Sequence, residues 1–281
     1  MGFNIYEEVT NRIIAQLEEG KIPWEKPWSG VRNKGAFNRK SKRPYSLLNQ
    51  MILKHEGEYA SFKQWTEMGG KIKKGEKSEM VVFWKIFETE DTLEDGTTYK
   101  KTIPYLKYYN VFHISQVEGV EPLEKPQQNN DPIAEAEEVK ENYKNRELLD
   151  IRERVTNDAF YSPLSDYINV PCINQYENVE EFYSTLFHEM VHSTGHKKRL
   201  GRFDESTKLA HFGSEDYSKE ELVAEIGSAT LMNIVGIETE HSFRNSAGYI
   251  QSWLSVLRND NRFIVSASSK AEKAVKYILG E

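Results

Sequence analysis

Residues 178–195 read Asn-Val-Glu-Glu-Phe-Tyr-Ser-Thr-Leu-Phe-His-Glu-Met-Val-His-Ser-Thr-Gly, and this segment contains the most informative pattern in the chain. Its apolar residues recur at helical spacing, which predicts an amphipathic helix with one face in a core. Asn178 can cap the first turn, with Glu181 as the partner of a capping box, and Gly195 can end the helix. The apolar stripe is Val179, Phe182, Leu186 and Met190.

His188-Glu189-Met190-Val191-His192 lies on the last turns of this helix. The spacing puts the imidazoles of His188 and His192 one turn apart, where both can bind one metal ion. Glu189 is then the candidate general base for a metal-bound water. The alternative is a solvated helix face that carries these residue types by chance.

A catalytic zinc site usually has a third protein ligand. The pattern HExxHxxGxxH would place that ligand at Lys198, a cation, so this class is disfavoured. The next predicted helix starts at Ser218 and carries Glu221 and Glu225 one turn apart. In one interpretation Glu221 binds the metal and Glu225 accepts the outer N–H of a ligand histidine. If Glu221 instead completes a capping box with Ser218, Glu225 is the ligand. Further candidate ligands are His196 and His211.

Composition indicates a folded protein of 281 residues with 29% charged and 12% aromatic residues. The single cysteine, Cys172, excludes an internal disulfide and is typical of a reducing cytosol, so we expect a cytoplasmic protein. The first 20 residues lack the apolar run of a signal peptide, and no stretch has the apolar length of a membrane span. We therefore expect no membrane association.

Charge is distributed unevenly within the overall net charge of −7. Residues 1–120 carry a net +3 and residues 121–281 a net −10. Where the charge changes sign, residues 121–132 contain three prolines and few apolar residues, which is typical of a linker. The sequence therefore predicts a first domain at 1–120, a linker at 121–132 and a second domain at 133–281.

The first domain is predicted to be α+β, and the second to be mainly helical. Helices are expected at residues 5–17, 47–54 and 61–68. Residues 80–87 and 99–112 are rich in β-branched and aromatic residues and predict two strands, with a hairpin tip at 94–97.

Basic residues interleaved with aromatic ones favour single-stranded nucleic acid, because cations track phosphates while flat side chains stack on bases. The alternative is a solvated cationic face over an aromatic core, to which we assign Trp65, Phe83 and Trp84. The candidate DNA-binding residues are Trp24, Trp28, Arg32, Lys34, Arg39, Lys40, Lys42, Arg43, Tyr45, Lys71, Lys73 and Lys74.

Several motifs resemble a known family. Gly-Lys-Ile-Pro-Trp-Glu-Lys-Pro-Trp at 20–28, Arg-Pro-Tyr at 43–45, the Gly-Gly-Lys-Ile-Lys-Lys-Gly-Glu-Lys run at 69–77 and Tyr-Asn-Val-Phe at 109–112 are similar to the amino-terminal domain of ArdC-type antirestriction proteins. Residues 188–196, with Arg199-Leu200 and residues 220–225, resemble the zincin-like metallopeptidase domain that follows it. His113 departs from the family pattern, in which asparagine follows the phenylalanine.

The resemblance implies a module for single-stranded DNA followed by a zinc site at His188 and His192, with an acidic third ligand from the Glu221–Glu225 helix. It also implies a protein of plasmids, conjugative elements or phages that protects invading DNA from host restriction or acts on host proteins as the DNA enters. Mn²⁺ and Co²⁺ are alternatives to Zn²⁺, because metal selectivity depends on geometry and supply.

The resulting hypothesis is hydrolysis of a peptide bond in a protein substrate by zinc-activated water, with Glu189 as base. We expect residues 167–171 to form an edge strand for the substrate backbone. The rival hypothesis is a non-catalytic DNA-binding shield with a structural metal. Candidate oxyanion donors are Tyr161, Tyr167 and Tyr217.

Overall fold

The computed structural model describes residues 3–19, 23–24, 35–92, 98–123, 132–176, 178–203, 215–237 and 246–281. The chain divides into two compact units. The first unit comprises Met1–Val9 and Ala36–Leu123, and the second comprises Thr10–Gly35 and Glu124–Glu281. Residues 10–35, which the sequence analysis placed in the first domain, thus group with the second unit.

The first unit is α+β, as the sequence predicts. Its sheet has the order β1-β2-β5-β4, and a separate pair is formed by β3 and β6. Its strands are β1 (Phe37–Asn38), β2 (Glu58–Ala60), β3 (Lys71–Ile72), β4 (Glu79–Thr92), β5 (Thr98–His113) and β6 (Val117–Glu118). Its helices are α2 (Leu47–Ile52) and α3 (Phe62–Glu67), and α1 (Ile5–Glu18) begins in this unit and ends in the second.

The long hairpin of β4 and β5 dominates this unit. The two strands pair from Glu79 opposite Val111 out to Thr92 opposite Thr98. The expected tip at 94–97 falls outside the described residues. On the other side of β5, strand β2 pairs only with Phe112 and His113, so most of the hairpin extends beyond the segment that pairs with β2.

The hydrophobic core of this unit sits at the base of that hairpin. It contains Ala36, Leu53, Tyr59, Val81 and Val111. Trp65 is fully buried in a neighbouring cluster, as expected. Phe83 and Trp84 do not belong to the core, and that expectation is wrong: Phe83 is half-buried and Trp84 is 42% exposed. Side chains alternate between the two faces of β4, and the ring of Phe83 lies on the face that carries the exposed Tyr109.

The start of the predicted linker is anchored in the first unit. The Leu123 backbone N–H donates to Oε1 of Glu58 at 2.6 Å, and Arg39 donates to the carbonyl of Glu121 at 3.3 Å. Residues 124–131 lie outside the described residues.

The second unit is mainly helical with a small sheet, as expected. The sheet has the order β7-β9-β8, with β7 parallel and β8 antiparallel to β9. Strand β9 is therefore central, and the expectation that it is an edge strand is wrong. Its elements are α4 (Pro132–Glu147), β7 (Asp150–Arg154), β8 (Phe160–Ser162), β9 (Tyr167–Pro171), α5 (Val179–Ser193), α6 (Glu215–Val235), α7 (Ser246–Asn259) and α8 (Phe263–Leu279).

Helix α6 forms the centre of this unit. It packs against α4, α5, α7 and α8, and nearly every side chain from Glu221 to Val235 is buried. The sequence predicts a half-buried helix here, but neighbours cover it on more than one face. Gly227 lies against Val191 of α5, where an added Cβ would come within 2.8 Å of Val191 Cγ2. This glycine lets α5 and α6 approach closely. Within the described residues, no helix combines the length and the apolarity that crossing a bilayer requires.

Candidate metal centre and nucleic-acid surface

Helix α5 begins and ends close to where the sequence predicts. The Asn178 side chain accepts a hydrogen bond from the backbone N–H of Glu181 at 2.8 Å, so Asn178 is the N-cap. The helix ends at Ser193, two residues before Gly195. A Cβ at position 195 would lie 2.6 Å from the Phe203 ring, so packing against that ring requires glycine there.

Three donor groups converge at the end of this helix. The Nε2 atoms of His188 and His192 are 3.0 Å apart. Glu221 faces both, with Oε2 at 3.4 Å from His188 Nε2 and Oε1 at 3.3 Å from His192 Nε2. A tetrahedral ion with ligand bonds of 2.0–2.1 Å would space its ligand atoms about 3.3 Å apart. Two imidazoles and one carboxylate at this spacing fit a single divalent ion with room for solvent.

The outer nitrogens of the two imidazoles also face carboxylates. His188 Nδ1 is 3.6 Å from Oε1 of Glu225, and His192 Nδ1 is 3.5 Å from Oε1 of Glu220. The structure thus brings Glu221 to the metal side and Glu225 to the outer side. No sequence pattern assigned a role to Glu220, which directly precedes Glu221.

The charges of this cluster are mutually dependent. Burial alone would lower the pKa of both histidines. Contact with Glu221 raises the pKa of His188 above its ordinary value, and contacts with Glu220 and Glu221 do the same for His192. Burial would raise the pKa of Glu221, yet its contacts with the two imidazoles hold it well below the usual range. The pKa of Glu225 is raised, chiefly by burial. Glu221 is therefore anionic, the form in which a carboxylate binds a cation.

Glu221 is not occupied as a helix cap. Helix α6 begins at Glu215, so Ser218 lies inside it, and the expectation that Ser218 starts the helix is wrong. Glu189 is buried on the same helix as the two histidines. His196 lies apart from the cluster, with Nδ1 3.7 Å from Oδ2 of Asp166, and His211 is outside the described residues.

A second polar cluster holds the turn after α5. Arg199 forms an ion pair with Asp166 and donates from Nε to the carbonyl of Ser193 at 2.7 Å. The Tyr161 hydroxyl donates to Oδ1 of Asp166 at 2.8 Å and accepts from Arg199 at 3.2 Å. Tyr161 is buried, and burial with its bond to Asp166 raises its pKa; its role as an oxyanion donor stays a prediction.

The other two candidate oxyanion donors are Tyr167 and Tyr217. The Tyr167 ring packs edge-on against Phe160 and lies under the guanidinium of Arg152, whose Cζ is 3.7 Å from the ring centroid. The side chain of Tyr217 lies outside the described residues.

The candidate DNA-binding residues fall into several groups. Trp24 is fully buried against Trp253, with ring centroids 5.1 Å apart, so the expectation that it meets DNA is wrong. Arg39 and Lys40 form ion pairs with Glu58 and Glu67. Tyr45 is half-buried beside the core. The exposed cations are Lys42, Arg43, Lys71, Lys73 and Lys74. Trp28, Arg32 and Lys34 lie outside the described residues.

The β4–β5 hairpin carries an aromatic surface that the sequence patterns did not predict. Tyr105, Lys107 and Tyr109 alternate along β5 and share one face, since successive strand residues point to opposite faces. Phe83 stacks on Tyr109, with centroids 4.7 Å apart and planes 1° from parallel. Lys107 Nζ lies 5.2 Å from the centroid of the Tyr105 ring. We name these four residues the aromatic ladder; Tyr109 is 58% exposed.

Two family models match the chain. The model for a zincin-like metallopeptidase matches residues 137–270. The model for the N-terminal domain of the anti-restriction factor ArdC matches residues 3–112. The two matches follow each other in the order that the sequence motifs indicate.

Solved structures with the same fold include two crystal structures of the antirestriction protein ArdC from plasmid R388. The metal-free structure is 33% identical, with a TM-score of 0.75, and the match covers 99% of this chain and 97% of that chain. The Mn(II)-bound structure is 32% identical, with a TM-score of 0.76, and the match covers 99% and 98%.

Curated relatives include longer proteins. A DNA primase TraC of Escherichia coli is 33% identical over 98% of this chain, which spans 27% of the primase. A second TraC primase of Escherichia coli is 32% identical, and the chain spans 20% of it. The uncharacterized protein y4eC of Sinorhizobium fredii (strain NBRC 101917 / NGR234) is 31% identical over 98% of this chain and 91% of its own length.

Proposed function

The chain belongs to the ArdC family of antirestriction proteins, and on that premise we propose that it is a metal-dependent peptidase that binds single-stranded DNA. The observation that carries the peptidase is the convergence of His188, His192 and Glu221, whose ligand atoms all lie within 4.8 Å of one another. Zn²⁺ is the metal we propose, with Mn²⁺ and Co²⁺ as alternatives. A Mn(II)-bound structure exists for the ArdC of R388.

The residues of this chain have distinct roles in the proposed hydrolysis. His188, His192 and Glu221 hold the ion, and Glu225 orients His188 from its outer side. The bound ion would polarise the substrate carbonyl and lower the pKa of water towards about 7. The Glu189 carboxylate accepts the proton of the attacking water and passes it to the leaving amine nitrogen.

Glu189→Gln tests this proposal, because it keeps the shape of the side chain and removes its basicity. We expect the full-length variant to retain Zn²⁺ and to lose cleavage of fluorescent casein by at least about 100-fold. The matched control is Glu138→Gln, which changes an exposed carboxylate on α4 of the same unit. Cleavage by Glu189→Gln at the wild-type rate would contradict the peptidase.

The rival function is a DNA-binding shield in which the metal is structural. The same variant separates the two, in cells that receive plasmid DNA cut by a host restriction enzyme. Protection that survives Glu189→Gln supports the shield, and protection that disappears while DNA affinity persists supports the peptidase.

We propose that single-stranded DNA binds the first unit along the aromatic ladder. Flat side chains on alternate residues of β5 offer stacking faces to successive bases, and Lys107 lies between them to meet a phosphate. Exposed cations elsewhere on this unit, Lys71, Lys73 and Lys74, add attraction for the backbone.

Fluorescence anisotropy with a labelled oligothymidine tests this surface. Tyr109→Ala should weaken binding by the equivalent of about 1–3 kcal/mol, the usual value of one base–aromatic stack. Phe62→Ala is the matched control, since Phe62 is exposed on α3 of the same unit and lies outside the ladder. Equal affinity of Tyr109→Ala and wild type would remove the ladder from the interface.

Together the two activities would serve one purpose. DNA binding by a domain at 1–120 would concentrate the peptidase of residues 133–281 near incoming single strands in the cytoplasm. The protein substrate would be a host factor that meets the entering DNA of a mobile element.

A further inference from the structure

The two imidazoles of the proposed metal centre are supported differently. His188 Nδ1 faces Glu225, and His192 Nδ1 faces Glu220 at 3.5 Å. Glu220 and Glu221 are neighbours in sequence, yet both face the ring of His192. Glu221 approaches Nε2, whereas Glu220 approaches Nδ1, so consecutive side chains of α6 lie on opposite sides of one imidazole.

Arg202 binds the carboxylate of Glu220 with two hydrogen bonds. Its Nη2 donates to Oε1 at 2.7 Å and its Nε donates to Oε2 at 3.3 Å. The same guanidinium donates from Nη2 to the Val191 carbonyl at 2.9 Å and from Nη1 to Oγ1 of Thr194 at 2.6 Å. Val191 and Thr194 lie on either side of His192 in the sequence.

Burial makes this arrangement energetically demanding. The side chains of Arg202 and Glu220 are only 7% and 12% exposed. An ionised carboxylate at such a depth requires a partner, because removing a charge from water costs several kcal/mol. Arginine supplies a fixed charge and a planar fork that matches a carboxylate. Arg202 therefore both compensates Glu220 and fixes its direction.

We infer that Arg202 and Glu220 form a positioning pair that orients His192 for the metal and so sets the metal affinity. This inference rests on the metal centre proposed above. Glu220 holds the Nδ1–H of His192, which leaves the Nε2 lone pair for the ion. Arg202 occupies both oxygens of Glu220, which keeps this carboxylate from competing with Glu221 as a ligand. Its bonds to Val191 and Thr194 also tie α6 to the end of α5.

The test measures Zn²⁺ affinity of the full-length protein by chelator competition, with no peptidase readout. Glu220→Gln should lower the affinity by about 10–100-fold, the usual effect of losing an outer partner of a ligand histidine. Arg202→Met should produce a similar loss, because it releases Glu220. The double variant should lose little more than either single variant, since both changes remove the same support. Arg258→Met, at an exposed arginine of α7, is the matched control.

A second readout separates positioning from a purely structural role. Nitrogen-15 NMR of the zinc-loaded protein reports the tautomer of each histidine, and Glu220→Gln should alter the signals of His192 while those of His188 persist. If Arg202→Met fails to fold, Arg202→Lys keeps the charge but loses the fork, and it should still weaken Zn²⁺ binding. Wild-type affinity in folded Glu220→Gln would overturn the inference alone. Absence of Zn²⁺ binding in the wild type would overturn the metal centre as well.

Discussion

Gly227→Ala should weaken Zn²⁺ binding at the metal centre while the protein still folds. Gly227 lies where α6 crosses α5, six residues after Glu221 and against Val191, the neighbour of His192. An alanine Cβ there would lie 2.8 Å from Val191 Cγ2 and 3.0 Å from Cγ1, although ordinary contacts begin near 3.4 Å. Val191 is fully buried and β-branched, so it has little freedom to turn away.

The two effects have different magnitudes. Overpacking of this kind costs about 1–3 kcal/mol, and replacing glycine by alanine inside a helix returns about 1 kcal/mol. The net loss of unfolding free energy should therefore be about 0–2 kcal/mol. To relieve the contact, α6 must move away by roughly 0.5 Å, while metal sites tolerate only about 0.2 Å in ligand distances. We expect Zn²⁺ affinity to fall about tenfold or more, which corresponds to about 1.4 kcal/mol.

Urea unfolding of the metal-free protein and chelator competition measure the two quantities separately. Val191→Ala is the control, because it removes both clashing methyl groups and leaves Gly227 in place. The double variant should recover most of the affinity lost in Gly227→Ala, which gives a favourable coupling energy. Wild-type Zn²⁺ affinity in Gly227→Ala would contradict the link between helix packing and metal binding. So would a double variant whose loss of Zn²⁺ affinity equals the summed losses of the two single variants.

Three further results are expected. Glu221→Gln should abolish Zn²⁺ binding, whereas Glu225→Gln should weaken it by about 10–100-fold. Chelator competition measures both affinities, and equal losses would contradict the different roles of the two residues. Saturation with Zn²⁺ at about 100 times its Kd should raise the unfolding free energy by about 2.7 kcal/mol, and a chelator should reverse this gain; an unchanged melting curve would contradict a metal site in the folded state. Burial would raise the pKa of Asp166, but hydrogen bonds from Arg199 and Tyr161 lower it. The ionised carboxylate therefore stabilises the fold when the pH is above the ordinary pKa of about 3.9. This stabilisation is lost as the pH falls through the lower pKa of Asp166 in the folded state. The stability difference between wild type and Asp166→Asn should therefore be large at pH 7 and shrink below about pH 4, and urea titrations that show a constant difference would contradict it.

Local patterns predicted the elements of the fold well. Helix α5, its N-cap at Asn178 and the pairing of His188 with His192 depend on residues within about four positions of one another, and helical geometry relates such positions directly. The two strands of the β4–β5 hairpin were also predicted, and in the structure β4 is six residues longer and β5 two residues longer than expected.

Predictions that depended on long-range packing were less accurate. Trp24 was expected at a surface, but Trp253, far away in sequence, covers it. No sequence pattern indicated that Asp166 and Arg199 would both bond to the hydroxyl of Tyr161, a candidate oxyanion donor. Trp84 was expected in the core, but it is 42% exposed. For Trp24 a deciding neighbour lies far away in sequence, beyond the range in which the periodicity of side chains carries information.

Residue spacing alone predicts that one helix presents two imidazoles and a carboxylate at its end, because a turn of 3.6 residues relates positions 188, 189 and 192. The sequence also indicated Glu221 and Glu225 as the leading candidates for the third ligand, with His196 and His211 as further ones. The packing of α6 against α5 places Glu221 beside Nε2 of both histidines and Glu225 beside Nδ1 of His188. It also brings Glu220 to the ring of His192 and Arg202 to Glu220. The physical reason is that the approach of α6 to α5 depends on packing at Gly227 and Val191, and that packing sets which face of α6 meets the histidines.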